Sequence, residues 1–180
     1  MKVLGLVGSP RIGSNTDMLV SAVLEGAASN GDCTSKVYLY EFDISPCLDC
    51  QACKKEPHKC AIKDGMQTLY SKLEEADAIV FGTPLYWYGP SAKMKLLVDR
   101  LRPFIASRSL MGKKAVLVIP SEEGADACKH AVGMFTLSFD YVRVHLVGKL
   151  LPKTPERAAV KNQPEMLTAA IKLGKSLRLS

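Results

Sequence analysis

Short apolar runs alternate along this chain with amphipathic stretches of helix length, and this alternation limits the possible folds more than any other feature. Each apolar run is continuous, as expected of strands that are buried on both faces. Strands of that kind form parallel sheets covered by helices on both sides. The strands are predicted at residues 3–7, 36–40, 78–82, 114–119 and 142–147.

Helices are predicted between these strands and after the last one. The first is supported by apolar residues at spacings of three and four between Met18 and Ala27, and by the stop signal Asn30-Gly31. The predicted helices cover residues 15–29, 65–75, 91–105, 125–139 and 164–177. Five strands and five helices in this order predict a doubly wound α/β fold. The length suits a single domain over residues 1–180, without internal repeat or interdomain linker.

A loop rich in hydroxyl and amide side chains follows the first strand and opens the first helix. Ligands of open parallel sheets bind beyond the carboxyl ends of the strands, where a helix N-terminus presents free amides and a positive dipole to anions. The loop lacks the patterns that bind nucleoside triphosphates and dinucleotides, so it suits a monophosphate better. The alternative is a plain helix cap, since Ser, Asn and Thr are common at helix starts. The residues predicted to bind phosphate are Ser9, Arg11, Ser14, Asn15 and Thr16.

The pattern Ser-x-Arg-x-x-Ser-Asn-Thr of this loop resembles the FMN phosphate loop of the NADPH-dependent FMN reductases, a branch of the flavodoxin-like proteins. The loop after the third strand suits the same ligand, because an isoalloxazine ring needs an apolar, aromatic wall. Its Pro-x-Tyr-Trp string resembles the loop that borders the flavin in that family, with plain packing or a dimer contact as the alternative. The predicted flavin contacts are Pro84, Leu85, Tyr86 and Trp87.

The turn after the fourth strand is added to the flavin site by the same resemblance alone. Ser121 and Gly124 match the small residues that the family places near the flavin. Glu122 and Glu123 lie between them, and we expect both to point to solvent, because carboxylates beside a reduced flavin are unfavourable.

Four cysteines fall within a segment, residues 44–64, that has neither helical nor strand periodicity. The spacing Cys47-x-x-Cys50-x-x-Cys53 lets a tight turn aim three thiolates at one cubane, and Cys60 supplies a fourth from the same loop. Structural zinc sites use two separated pairs instead. The spacing therefore favours a 4Fe-4S cluster over zinc, with a free-thiol or regulatory loop as the remaining alternative. Cys33 and Cys128 are expected to be ordinary cysteines.

The cysteine segment and the two flavin loops together resemble the iron-sulfur flavoproteins of anaerobic archaea and bacteria. The resemblance extends to about residue 124; beyond it, only the order of elements agrees. The usual Asp-Asp-Met after the last cysteine is Asp64-Gly65-Met66 here, which removes no ligand.

This resemblance implies a flavodoxin-like three-layer sandwich with strand order 2-1-3-4-5 and the cysteine-rich loop, residues 44–64, inserted after the second strand. It also implies a homodimer or homotetramer with FMN at the subunit interface, within electron-transfer reach of a 4Fe-4S cluster. Electrons would pass between FMN and a ferredoxin-type partner or a small acceptor, and NAD(P)H is a possible donor. No side chain is required as a catalytic acid or base.

Charge and hydropathy exclude other classes of function. The net charge of +6 is dispersed, with no lysine or arginine block longer than two, so nucleic-acid binding is not expected. No apolar run reaches membrane-spanning length, and residues 1–2 lead straight into a strand, so we expect a cytoplasmic protein without a membrane anchor. Two other hypotheses are an NAD(P)H-dependent FMN or quinone reductase without a cluster, and a redox-sensing binding module.

Overall fold

A five-stranded parallel sheet with helices on both faces forms the centre of the protein, in a computed structural model that describes residues 1–178. The strands are β1 Lys2–Val7, β2 Cys33–Tyr38, β3 Ala78–Gly82, β4 Leu85–Tyr86, β5 Gly89–Pro90, β6 Lys114–Val118 and β7 His145–Leu150. The sheet has the order β2-β1-β3-β6-β7, and β4 and β5 form a separate antiparallel hairpin. When the hairpin strands are left out of the numbering, this is the predicted order 2-1-3-4-5.

Within residues 1–178, six α-helices and four short 3-10 turns lie between these strands and after the last one. The helices are α1 Asn15–Ala28, α2 Met66–Glu75, α3 Ala92–Asp99, α4 Pro103–Ser107, α5 Lys129–Val142 and α6 Pro164–Ser176. The 3-10 turns are Leu39–Glu41, Ala52–Lys54, Ala125–Cys128 and Ala159–Asn162. Among residues 1–178, no helix is both long and apolar enough to cross a membrane.

Two hydrophobic layers cover the sheet because successive strand residues point to opposite faces. In β3, Ile79 and Phe81 join the layer of α2 to α5, where the Phe81 ring packs at a tilt against Phe135 and Phe139. Val80 lies on the other face, in the layer of α1 and α6. Both faces are apolar, which explains why the strands read as continuous apolar runs.

Helices α1 and α6 approach each other closely through two glycines. A Cβ atom on Gly26 would lie 2.1 Å from the Ile171 carbonyl oxygen, and one on Gly174 would lie 2.0 Å from the Val23 carbonyl oxygen. Only glycine permits this backbone contact, which packs α6 closely against the C-terminal half of α1.

The predicted elements need several corrections. The single helix 91–105 is wrong: α3 ends at Asp99 and α4 begins at Pro103, since proline lacks the N–H that a continuous helix requires. The predicted strand 142–147 begins too early, because Val142 completes the apolar face of α5, and Arg143 ends that helix at φ 58°. The predicted helix 125–139 opens with a 3-10 turn, and the second strand lies at Cys33–Tyr38 rather than 36–40.

Candidate functional site

A cleft of about 370 Å³ opens at the carboxyl edge of the sheet. Nine of the eleven residues predicted to contact a flavin line it: Ser9, Arg11, Ser14, Asn15, Thr16, Pro84, Leu85, Tyr86 and Ser121. Trp87 lines a neighbouring cavity of about 580 Å³, which shares Leu85, Tyr86, Ser121 and Glu122 with the cleft. Gly124 lines neither cavity. The two cavities therefore adjoin, and their combined volume is sufficient for a ligand of cofactor size.

The loop after β1 is shaped to present the N-terminus of α1 to the cleft. Ser14 caps the helix by accepting a hydrogen bond from the Asp17 amide at 3.3 Å. Gly13 has φ +70°, a left-handed conformation that favours glycine. The Ser9 hydroxyl accepts a bond from the Arg11 amide at 3.2 Å and so fixes the turn. The first amides of α1 and the Arg11 side chain are left to face an anion.

A buried carboxylate supports this loop from behind. Asp17 accepts hydrogen bonds from the Gly13 amide at 2.8 Å, from Lys36 Nζ at 2.8 Å and from the Tyr38 hydroxyl at 3.1 Å. Burial raises the pKa of Asp17, but the bonds from Lys36 and Gly13 outweigh burial and hold the pKa below its ordinary value. The positive charge of Lys36 compensates the negative charge of Asp17, so Asp17 repels an anion in the cleft less strongly.

The β4–β5 hairpin forms the aromatic wall of the site. Its tip residues, Trp87 and Tyr88, have φ 48° and 61°, the left-handed conformation of a two-residue hairpin turn. Its base is fixed by a bond of 2.9 Å from the Ser91 amide to the Thr83 hydroxyl. Trp87 is 97% exposed. The hairpin thus presents a large aromatic surface that the rest of the chain leaves exposed.

A segment that the sequence prediction missed also lines the cleft. Thr154, Pro155, Glu156 and Arg157 follow β7 and line the cleft beside the α1 N-terminus. The Thr154 amide donates to the Ser121 carbonyl oxygen at 2.7 Å, and the Ser121 amide donates to the Pro152 carbonyl oxygen at 3.1 Å. Arg157 therefore joins Arg11 as a second cation at the cleft.

Asn15 holds this segment in place. Its side-chain nitrogen donates to the Glu156 carbonyl oxygen at 2.8 Å, and its side-chain oxygen accepts from the Val160 amide at 3.1 Å. The Asn15 amide group is thus committed to a protein contact, although the residue lines the cleft. Rules that place ligands beyond the carboxyl ends of strands would have pointed to residues 154–157, because β7 also ends at this edge.

The Ser121 turn is fixed by local bonds. The Gly124 amide donates to the Ser121 hydroxyl at 2.9 Å, and Gly124 has φ +85°. Gly124 thus shapes the turn while Ser121 lines the cleft. Glu122 and Glu123 are exposed, as expected, although both line the aromatic cavity.

The four clustered cysteines line a third, much smaller cavity, of about 20 Å³. Cys47 and Cys50 are exposed, Cys60 is half-buried and Cys53 is buried. Burial raises the pKa of the Cys53 thiol, and the nearby Arg102 partly offsets this. Within residues 1–178, no three His, Cys, Asp or Glu side chains are grouped so as to hold a metal ion. The thiols thus share a cavity but do not converge on one ion.

The cysteine loop is closed at its base by a buried ion pair. Arg100 Nη1 donates to Asp64 Oδ2 at 2.8 Å and to the Ser45 carbonyl oxygen at 2.8 Å, while Nη2 donates to Asp64 Oδ1 at 3.2 Å. Asp64 in turn accepts from the Ser45 amide at 2.9 Å and the Met66 amide at 3.0 Å. Burial raises the pKa of Asp64, but Arg100 and the two amides more than reverse this. Both ends of the loop are therefore fixed to one arginine.

Contacts between the two regions show that the cysteine loop begins beside the aromatic hairpin. Burial raises the pKa of Tyr40, and the nearby Tyr86 phenol raises it further. Lys93, in α3 just after the hairpin, donates to the Phe42 carbonyl oxygen at 2.6 Å. Residues 40–42 lead into the cysteine loop, so the loop and the cleft are neighbours at one edge of the sheet.

Comparison with known proteins agrees with this geometry. Residues 1–152 match the NADPH-dependent FMN reductase family. An iron-sulfur flavoprotein of Methanocaldococcus jannaschii is 40% identical over 126 residues, which are 69% of this chain and 65% of that protein. The chain thus spans slightly less than two thirds of the length of this relative.

Solved structures confirm the fold. A flavone reductase superposes with a TM-score of 0.79 at 18% identity, over 98% of this chain and 62% of its own. A flavodoxin from the domain Archaea superposes with a TM-score of 0.62 at 17% identity, over 98% of this chain and 96% of its own. The flavodoxin-like sandwich predicted from the sequence is therefore confirmed.

Proposed function

Since this chain belongs to the NADPH-dependent FMN reductase family, we propose that it is a flavin-dependent oxidoreductase that holds FMN in the cleft and a 4Fe-4S cluster on the cysteine loop. The observation that supports this best is the arrangement of the carboxyl edge. Nine predicted flavin residues line one cleft, four clustered cysteines line one cavity, and residues 40–42 join the two regions.

The residues of the cleft suit the parts of FMN. The α1 N-terminus, Arg11 and Arg157 supply amides and positive charge for a phosphate dianion. The adjoining aromatic cavity, with Tyr86 and Trp87, offers a surface for a planar ring. Asp17 and Asn15 act as positioning residues, because each bonds to the backbone of a segment that lines the cleft.

The residues of the cysteine loop suit a 4Fe-4S cluster by their donor set. Four cysteines from one loop line one cavity, and Arg100 and Arg102 beside them supply positive charge that would balance an anionic cluster. The backbone of the loop is already tightly turned, with Asp49, Gln51 and His58 at φ 47°, 60° and 58°. The cavity is small, so cluster binding requires the thiols to rearrange around the metal.

Electron transfer follows from the two cofactors together. When bound, FMN exchanges electrons in pairs or singly, and a 4Fe-4S cluster carries one at a time. The protein's part is to hold both at one edge of the sheet and to leave the aromatic hairpin accessible to an electron donor or acceptor. No side chain of the cleft has to take or give a proton.

The partners of this reaction are part of the proposal. Lys54, Lys55, Lys59 and Lys63 are exposed around the cysteines and suit an acidic ferredoxin-type partner. The exposed aromatic hairpin suits a homodimer or homotetramer in which a second copy covers the flavin. NAD(P)H is proposed as a possible donor, in keeping with the family's description.

A second candidate is an NAD(P)H-dependent FMN or quinone reductase without a cluster. It is favoured by one observation: the four thiols are not gathered around a metal position within the described part of the chain. The cysteines would then be free thiols, and only the flavin chemistry would remain.

An anaerobic cofactor count distinguishes the two candidates. We expect about four iron and four sulfide per chain with one FMN, and broad absorbance near about 400 nm that dithionite bleaches. Protein purified aerobically serves as the comparison, because exposed clusters lose iron in air. One FMN per chain without iron or sulfide, even after anaerobic reconstitution, would leave the reductase without a cluster as the function.

The role of Arg157 gives a second prediction. Replacing Arg157 by glutamine should weaken FMN binding about tenfold, since a charge-assisted bond to a phosphate is worth about 1.5–3 kcal/mol and this side chain is exposed. The dissociation constant is measured by flavin fluorescence quenching. Arg108→Gln is the matched control, because Arg108 is exposed and lines neither flavin cavity. Equal affinity of Arg157→Gln and the parent protein would exclude Arg157 from the phosphate site.

A further inference from the structure

The buried arginine at the base of the cysteine loop has donors that the ion pair does not use. Arg100 is 1% exposed and lines the cavity shared by the four cysteines. Its Nε atom is buried and has no hydrogen-bond partner. A buried, unpaired donor costs about 1–3 kcal/mol, so it calls for a physical explanation.

The guanidinium geometry restricts where that donor faces. Of its five N–H groups, Nη1 uses two, on Asp64 and on Ser45, and Nη2 uses one on Asp64. The guanidinium is planar, so Nε–H and the second N–H of Nη2 form a fork along its side, away from the carboxylate. The bonds of Arg100 to Asp64 and Ser45 do not use these two N–H groups, which are called the side fork below.

Tyr70 and Cys60 line the same cavity as Arg100, so the buried Nε–H and a ligand sulfur belong to one small enclosed space. The Tyr70 hydroxyl donates to the Arg100 carbonyl oxygen at 2.8 Å, and Tyr70 also lines the cysteine cavity. Burial lowers the pKa of Arg100, but its bonds to Asp64 raise it above its ordinary value, so the guanidinium stays charged. Cys60 thus lies within electrostatic reach of a permanently charged donor.

We propose that the side fork of Arg100 donates hydrogen bonds to a sulfur of the 4Fe-4S cluster, either sulfide or the Cys60 thiolate, and thereby raises the reduction potential of the cluster. This inference rests on the proposed function, since it requires the cluster. Hydrogen bonds to cluster sulfurs stabilise the reduced state, which carries one more negative charge. Arg100 is in this sense a positioning and tuning residue: it fixes both ends of the loop and sets the potential of the group that the loop holds.

The test is the cluster reduction potential of Arg100→Lys. Lysine keeps the positive charge beside Asp64 but has no Nε–H and no fork. We expect the ratio of reduced to oxidised cluster at a fixed potential to fall about tenfold, which is a shift of about 59 mV to lower potential for a one-electron couple. FMN content should be unchanged, and the potential is compared on protein that retains its full iron content. An unchanged potential in a variant with full iron would overturn the proposal.

Arg102→Lys is the matched control. Arg102 lines the same cavity, but its side chain is 37% exposed and pairs with Asp49 at 3.3 Å. The same chemical change there should move the potential by less than half as much as Arg100→Lys. An equal shift in both variants would assign the effect to charge distribution in general and overturn the specific role of Arg100.

A measurement on the parent protein keeps the test decisive if Arg100→Lys does not fold or does not retain iron. Arginine labelled with ¹⁵N at Nε is incorporated, and the reduced cluster is studied by pulsed paramagnetic resonance. We expect a ¹⁵N hyperfine coupling that persists in Arg102→Lys. A protein with four irons but no such coupling would sink this inference and leave the proposed function intact. A protein without iron would sink the proposed function itself.

Discussion

Replacing Cys50 by serine should abolish iron binding while FMN stays bound. Cys50 is exposed and lines the cysteine cavity, whereas neither flavin cavity contains any of the four clustered cysteines. The loss of one of four thiolate ligands destabilises a 4Fe-4S cluster, so iron should fall from about four per chain to near zero. Iron, sulfide and FMN are counted on anaerobically purified protein, and FMN should remain at about one per chain.

Cys33→Ser is the matched control for this variant. Cys33 is also exposed, but it begins β2 and lies at the opposite end of that strand from the cysteine loop. It should keep its full iron content. A Cys50→Ser protein that retains iron would remove this cysteine from the ligand set. A variant that loses iron and FMN together would show that the two sites are not independent.

The fold was predictable because the sheet is buried on both faces. Continuous apolar runs of strand length, such as residues 78–82, are typical of interior strands, and the helix-length stretches between them indicate crossovers. The predicted element boundaries are wrong where the apolar residues at the end of one element adjoin those at the start of the next. Val142 is apolar for α5, yet it adjoins the next apolar run and was assigned to the strand. Arg143, with φ 58°, ends the helix there, and no residue type announces that conformation.

The cleft was predictable where a loop carries a recognisable pattern, and missed where it does not. Residues 9–16 and 84–87 have motifs; Thr154 and Arg157 have none, and their place depends on β7 lying in the same sheet. Asn15 shows why residue type alone does not determine the role of a side chain. Its residue type suits a phosphate, but its amide group bonds to the segment after β7, a contact 141 residues away in sequence.

The base of the cysteine loop could not be predicted for a similar reason. Arg100 lies inside the predicted helix 91–105, and Asp64 reads in sequence as one acidic residue among lysines. Only the tertiary structure reveals that the two form a pair with side chains 1% and 4% exposed. The break between α3 and α4, which Pro103 imposes, places Arg100 as the C-cap of α3.

This buried pair leads to the largest predicted loss of stability. Asp64→Asn should lower the free energy of unfolding by about 3 kcal/mol, because it leaves the Arg100 charge buried without a counter-charge. The loop ends should also separate, since Asp64 accepts bonds from the Ser45 and Met66 amides as well. Urea unfolding at saturating FMN, followed by circular dichroism, measures the change, and iron content reports on the loop.

Asp49→Asn is the control for Asp64→Asn, because it removes an exposed ion pair of the same loop instead of the buried one. Asp49 pairs with Arg102 at 3.3 Å, but its side chain is 65% exposed, and asparagine tolerates its φ of 47°. This variant should lower the free energy of unfolding by less than about 1 kcal/mol, as the loss of an exposed ion pair does.

The double variant Asp64→Leu with Arg100→Met should recover most of the stability lost in Asp64→Asn, since apolar residues of similar volume replace buried pairs at little cost. It should nevertheless lose iron, because the loop ends then have no common anchor. Full iron retention in that stable double variant would mean that the cysteines, rather than the Arg100–Asp64 pair, hold the loop in its cluster-binding shape.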